Sequence, residues 1–169
     1  ALSLSILATP ALAATCGNTS AGFERWKSEF AAEAKANGVN AKAINALMNT
    51  SYATATIKAD RNQKSFKYTL AKFWQVRGAD TIISQGKRQK AANAALFANI
   101  EKKTGVPAGP LIAIWGMETA FGRFTGSQNV LSATATLAYD CRRTEFFQEQ
   151  LYAMLKLVVS GKVSASAKG

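Results

Sequence analysis

The sequence predicts a mainly α-helical protein, and three observations carry that expectation. Apolar residues recur at helical spacing through most of the chain. Asn, Thr, Gly and Pro punctuate them where helices start and stop, and no period-two stretch is long enough for a convincing strand. The chain has 169 residues, 48% of them hydrophobic, which suits one domain with a real core. Charged residues make up only 18%, so neither disorder nor a polar linker is indicated.

Residues 1–13 read as the rear of a secretory signal peptide: a short apolar run, Pro10, then Ala11-Leu12-Ala13 as a small-x-small cleavage site before Ala14. The run is too short to span a bilayer. A start Met and a basic leading region are not in the sequence, so the chain is expected to be truncated at its front. Export permits a disulfide, and the two cysteines, Cys16 and Cys141, are predicted to pair. Closing so long a loop stabilises a fold by about 4–5 kcal/mol in the chain-entropy model. Lipidation of Cys16 is the competing idea. Thr15 fits a lipoprotein signal poorly and the cleavage site already explains the segment, so no lipid anchor is expected.

Beyond the leader, Phe23, Trp26 and Phe30 fall on one helical stripe that Gly38 can stop. Asn40 can cap a short helix carrying Ile44, Leu47 and Met48. Phe66, Leu70 and Phe73 mark a third stripe, with Lys64, Lys67 and Lys72 turned outward. From about Asp80 to Lys103 the pattern predicts a longer amphipathic helix through Ile83, Leu96, Phe97 and Ile100, interrupted at Gly86. The last clear helix opens at Thr144, its expected cap, with Glu145 favourably placed at the positive end, and buries Phe147, Leu151, Leu155 and Val158. The small, polar tail from Ser160 to Gly169 offers no packing face.

Charge and composition narrow the chemistry. Lys and Arg number 21 against 10 acidic residues, a net +11, which favours polyanionic partners. The cations are spread along the chain; the densest run, Lys87-Arg88-Gln89-Lys90, reads as a solvated helix face. There is no histidine. That removes Ser-His-Asp and Cys-His nucleophiles and His-ligated zinc, and leaves acid–base work to a carboxylate, Lys, Tyr or Cys. No ligand cluster is visible, so neither metal nor cofactor is expected.

The unusual stretch runs from Pro107 to Gly126. A helix started by Pro107 or Pro110 is apolar nearly all round from Leu111 to Met117, and such a helix is expected to be buried. Glu118 stands at its far end, the only acidic residue between Glu101 and Asp140, and Gly122 is expected to end the helix in the left-handed conformation. Burial among Ile114, Trp115 and Phe121, together with the negative helix pole, would favour a protonated carboxyl suited to general acid work, while Arg123 would oppose it. Gly116 and Gly122 leave room for a bulky ligand. The alternative is a buried Glu118–Arg123 pair that only ties down the helix end.

The string Ile114-Trp115-Gly116-Met117-Glu118-Thr119-Ala120-Phe121-Gly122-Arg123, followed by Gly126, resembles the catalytic signature of the lytic murein transglycosylase B family. The likeness extends through Val130 to Asp140 and Arg142-Arg143-Thr144-Glu145-Phe146-Phe147. Upstream it takes in Gly105-Val106-Pro107, Asp60-Arg61 with Gln63 and Phe66, and Phe23 to Trp26. The resemblance implies a lysozyme-like helical domain, residues 14–169 being the N-terminal portion of a catalytic domain. It implies action on the MurNAc–GlcNAc β-1,4 bond of peptidoglycan, with Glu118 as acid and then base and a 1,6-anhydro sugar as product. Asp140, the nearest downstream carboxylate, reads as a cap or surface residue.

Arg142 and Arg143 align with paired arginines that face anionic parts of the glycan in the family, although an exposed basic helix start is the alternative. Cys141 stands where relatives often carry Tyr-Pro. Trp115, Phe121 and Tyr139 either stack on sugar rings or pack in the core, and Phe121 and Tyr139 are carried forward as candidate substrate contacts. Family members continue past the position of Gly169 with a stretch that completes the substrate groove, so the chain is expected to be incomplete there too. The implied partner is peptidoglycan glycan in the periplasm of a Gram-negative bacterium. A monomer is expected, with neither nucleic acid nor a transmembrane segment. An inactive fragment that only binds peptidoglycan is the rival reading.

Overall fold

The computed structural model describes residues 14–63 and 67–169. The signal-like segment 1–13, Phe66 and Lys64 lie outside them. Among the described residues the chain forms nine α-helices: α1 (Phe23–Ala36), α2 (Ala41–Met48), α3 (Thr54–Arg61), α4 (Leu70–Arg77), α5 (Ala79–Ala92), α6 (Ala94–Thr104), α7 (Ala108–Thr119), α8 (Val130–Tyr139) and α9 (Thr144–Val159). Extended pairing among the described residues amounts to two isolated bridges, as the helical spacing predicts. No helix among the described residues is long and apolar enough to cross a membrane.

The helices sort into two compact units. The first joins residues up to Asn62 with Ser127–Gly169, and the second, Gln63–Gly126, is inserted between them. The core of the first unit is built on the α1 stripe: Phe23, Trp26 and Phe30 are fully buried, with Leu47, Leu131, Leu151 and Leu155 around them. Burying side chains of this size contributes about 1.5–3 kcal/mol each. Asn40 caps α2 as expected, its side chain accepting from Ala43 N at 3.0 Å. Cys16 and Cys141 are disulfide-bonded, with Cα atoms 5.1 Å apart. Lys27 is buried and donates to Met48 O at 3.0 Å and Thr50 O at 2.7 Å, satisfying carbonyls at the end of α2.

Several expectations change here. The tail does pack: Val163 rests against the core, Val130 N donates to Ala167 O, and Gly169 N donates to Gln128 O. Thr144 is the first residue of α9 rather than its cap; its hydroxyl donates back to Asp140 O at 2.9 Å. In the second unit the break falls at Asn93, between α5 and α6, and not at Gly86. Gly86 lies inside α5, where a Cβ would come within 2.8 Å of Ile112 Cγ2 on α7. The stripe on α4 is not a buried one, since Leu70 is exposed and Phe73 only half-buried.

Candidate functional site

Helix α7 is not buried all round. It buries Ala108, Ile112 and Gly116, every fourth residue along one face, against α5 and α6, and leaves Ile114, Trp115 and Met117 exposed. An apolar run without periodicity does not say how many faces find partners; here one does. At Gly116 a side chain has no room, because a Cβ would meet Ile82 Cγ2 and Phe121 Cζ, each at 2.7 Å.

The helix ends at Thr119, earlier than the expected stop at Gly122. Ala120 (φ 47°), Phe121 (φ 63°) and Gly122 (φ 84°) are all left-handed. The first two carry side chains and pay roughly 1–2 kcal/mol each for that conformation. Thr119 organises the turn: its hydroxyl donates to Trp115 O (3.1 Å) and accepts from Gly122 N (2.9 Å), while its carbonyl accepts from Phe124 N (2.9 Å). The adjacent Glu-Thr pair therefore couples an acid to the residue that turns the chain behind it.

Glu118 is exposed, so the desolvation expected from the sequence is absent. It lines a cleft of about 390 Å³ together with Arg77, Gln85, Met117, Arg123 and Phe124. Among the described residues Glu118 is the one carboxylate lining the cleft, and it forms neither an ion pair nor a side-chain hydrogen bond there. The alternative of a Glu118–Arg123 tie is not realised: Arg123 donates to Gln85 Oε1 at 3.1 Å and to Ala120 O at 3.3 Å. Arg77 donates to Met117 O at 3.1 Å.

Two aromatic expectations need correction. Tyr139 is buried in the first unit among Phe23, Trp26 and Tyr52, and its hydroxyl donates to Thr19 O at 2.9 Å. A ring so enclosed has no face left for a sugar. Phe121 is half-buried, packs edge-on to Trp115 and against the cluster of Phe97, Ala108 and Ile112, and does not line the cleft. The aromatic side chain that does line it is Phe124, 71% exposed. Sequence reasoning passed over Phe124, Arg77 and Gln85. Phe124 follows Gly122-Arg123 directly and was findable; the other two sit on α4 and α5, which no local pattern connects to Glu118.

In the first unit Arg142 and Arg143 both pair with Asp60, Arg143 at 2.6 Å, and the Arg143 guanidinium lies 4.8 Å from the centre of the Phe147 ring. Both arginine side chains stay about half-exposed. Asp140 is buried, not a surface residue; it pairs with Arg61 and accepts from Arg142 N at 3.0 Å, so it caps the turn into α9. No group of three or more potential metal-ligating side chains occurs among the described residues.

The helical fold is of the lysozyme-like class. The chain belongs to the transglycosylase SLT domain family, whose model matches residues 22–169. It is similar to the crystal structure of SltB3 from Pseudomonas aeruginosa in complex with NAG-anhNAM-pentapeptide, with 34% identity and a TM-score of 0.74. It is also similar to SltB3 in complex with NAG-NAM-pentapeptide, with 33% identity and a TM-score of 0.69. Each match covers 85% of this chain and 39% of the solved one, so the chain spans well under half the length of those structures. No curated protein sequence matches it.

Proposed function

We propose that this chain is the glutamate-bearing part of a lytic murein transglycosylase. It would cleave the MurNAc–GlcNAc β-1,4 bond of peptidoglycan outside the cytoplasm, in the periplasm of a Gram-negative cell. The observation that carries this reading is Glu118: an exposed carboxyl with no ion-pair partner among the described residues, lining a cleft behind a strained turn, inside the stretch that matches the family. Two SltB3 complexes with sugar–pentapeptide ligands support a glycan as the occupant.

Glu118 donates a proton to the glycosidic oxygen, the bond from that oxygen to the muramic C1 breaks, and GlcNAc leaves with a free 4-hydroxyl. The 6-hydroxyl oxygen of the same muramic acid then bonds to C1 and returns its proton to Glu118, closing a 1,6-anhydro ring without consuming water. One carboxyl suffices because the nucleophile belongs to the substrate, whereas the usual two-carboxylate glycosidases need a second acid. A glycan covering the cleft would exclude the water that reaches Glu118 in the free protein. Phe124 offers a face for a sugar ring. Arg142 and Arg143, pre-oriented by Asp60, are proposed contacts for anionic parts of the polymer.

Digestion of purified sacculi, read by mass spectrometry, tests the reading. Anhydro-muropeptides should appear with the chain and fall at least about a hundredfold with Glu118→Gln. Reducing-end muropeptides in their place would refute the transglycosylase step. Retained sacculus binding with no product would favour the reading of a silent binding fragment.

A further inference from the structure

We propose that Arg77 and Arg123 form a carboxylate-reading pair beside Glu118, so that the cleft selects amino-sugar chains bearing carboxylates over neutral ones. The inference rests on the glycan-cleaving reading and adds a specificity determinant to it. Arg77 and Arg123 both line the cleft that holds Glu118. Every acidic residue of the sequence lies among the described residues, and none is paired with either arginine. Two positive charges therefore line one cleft against a single carboxylate, Glu118, which pairs with neither of them. The inserted unit sharpens the imbalance, because Asp80, Glu101 and Glu118 are its only acids.

The hydrogen bonds aim the two groups without exhausting them. Arg77 spends one Nη2 donor on Met117 O; Arg123 spends Nη2 on Gln85 Oε1 and Nε on Ala120 O. All three acceptors are neutral, and a guanidinium has five N–H donors, so each arginine keeps a usable edge. Anchoring to backbone carbonyls at the end of α7 ties both arginines to the segment that carries Glu118. A fork held in this way suits the two oxygens of a carboxylate, and a rigid pre-set geometry reduces the cost of ordering it on binding. The competing account, that both arginines only satisfy carbonyls at the end of α7, makes no distinction between ligands.

The test uses the full chain carrying Glu118→Gln, which prevents turnover, and measures binding to solubilised murein strands by calorimetry. One portion of the strands has its carboxylates capped as methylamides. Untreated strands should bind about tenfold more tightly or better. Adding Arg77→Gln or Arg123→Gln should shrink that preference, and the pair together should abolish it, with capped strands still bound. Because capped strands report on the intact cleft, a variant that merely misfolds loses both ligands; Arg77→Lys with Arg123→Lys, which keeps the charge, should then retain a reduced preference. Strands stripped of peptide identify the source. In peptide-bearing strands the muramic lactyl group is an amide, so a preference there reads the peptide's carboxylates, whereas a preference between uncapped and capped stripped strands reads the sugar's own acid that stripping frees. Equal binding of capped and untreated strands, or a preference that persists in the double Gln variant, overturns the inference while leaving the proposed reaction standing. Failure to bind any strand removes the glycan reading and the inference together.

Discussion

The ring of Phe121 occupies the space that a side chain on Gly116 would need: a Cβ there would lie 2.7 Å from Phe121 Cζ. The glycine and the aromatic residue of the motif are thus one packing unit, placed either side of Glu118. Gly116→Ala should destabilise the inserted unit by about 1–3 kcal/mol through overpacking, read as a lower urea midpoint. Phe121→Leu, which shortens the ring, should recover part of the loss when combined with it, and a purely additive pair of effects would contradict the contact.

The turn after α7 gives a test by sign. Ala120 and Gly122 are both left-handed, yet only one of them is a glycine. Ala120→Gly should be neutral or stabilising by up to about 1 kcal/mol, while Gly122→Ala should cost about 1–2 kcal/mol. Denaturation midpoints moving the same way for both would mean that the turn is not held as described.

Lys27 is the buried cation of the first unit, held by Met48 O, Thr50 O and Glu24. Lys27→Met keeps the length and the apolar stem but leaves two carbonyls without their donor. A loss of about 2–4 kcal/mol is expected, visible as a fall in thermal midpoint. The same change at the exposed Lys35 should do almost nothing.

Alkali should loosen the first unit. Burial raises the pKa of Tyr152; its hydrogen bond from Asn37 opposes this and the nearby Glu33 reinforces it. Tyr52 is raised as well, first by burial. With folded values above the unfolded one near 10, the unfolded chain releases protons first, so this stability is whole below about pH 10 and drains away as pH climbs beyond it. Tyr152→Phe should flatten that decline in pH-dependent denaturation; an unchanged slope would show that this partly buried hydroxyl is not its source.

The legible parts of the sequence were those where one face had one fate. The stripe of Phe23, Trp26 and Phe30 and the α9 face of Leu151, Leu155 and Val158 could be read directly, because polar residues marked their outer sides. Asn40 could be read because a cap is a local hydrogen bond. Helix α7 misled for the opposite reason: with apolar residues all round, nothing in its spacing told the buried face of Ile112 and Gly116 from the exposed one of Ile114 and Trp115. The helix ends at Asn93 and Ala120 were set by packing and by Thr119, not by the nearest glycine. Glu118 was found through its motif. Arg123 stood in the same motif, but Arg77 and Gln85 were not found, since only the fold brings the ends of α4 and α5 to the end of α7.

The insertion of one unit within the other also sets an order of events. Residues 63–126 make their contacts among neighbours along the chain and can close as soon as Gly126 is available. The other unit must wait for α8 and α9, and Cys16 has no sulfur to meet until Cys141 arrives. As the chain emerges, the lobe with the acid can therefore ripen early, while the lobe with the cystine stays open until Cys141 reaches Cys16.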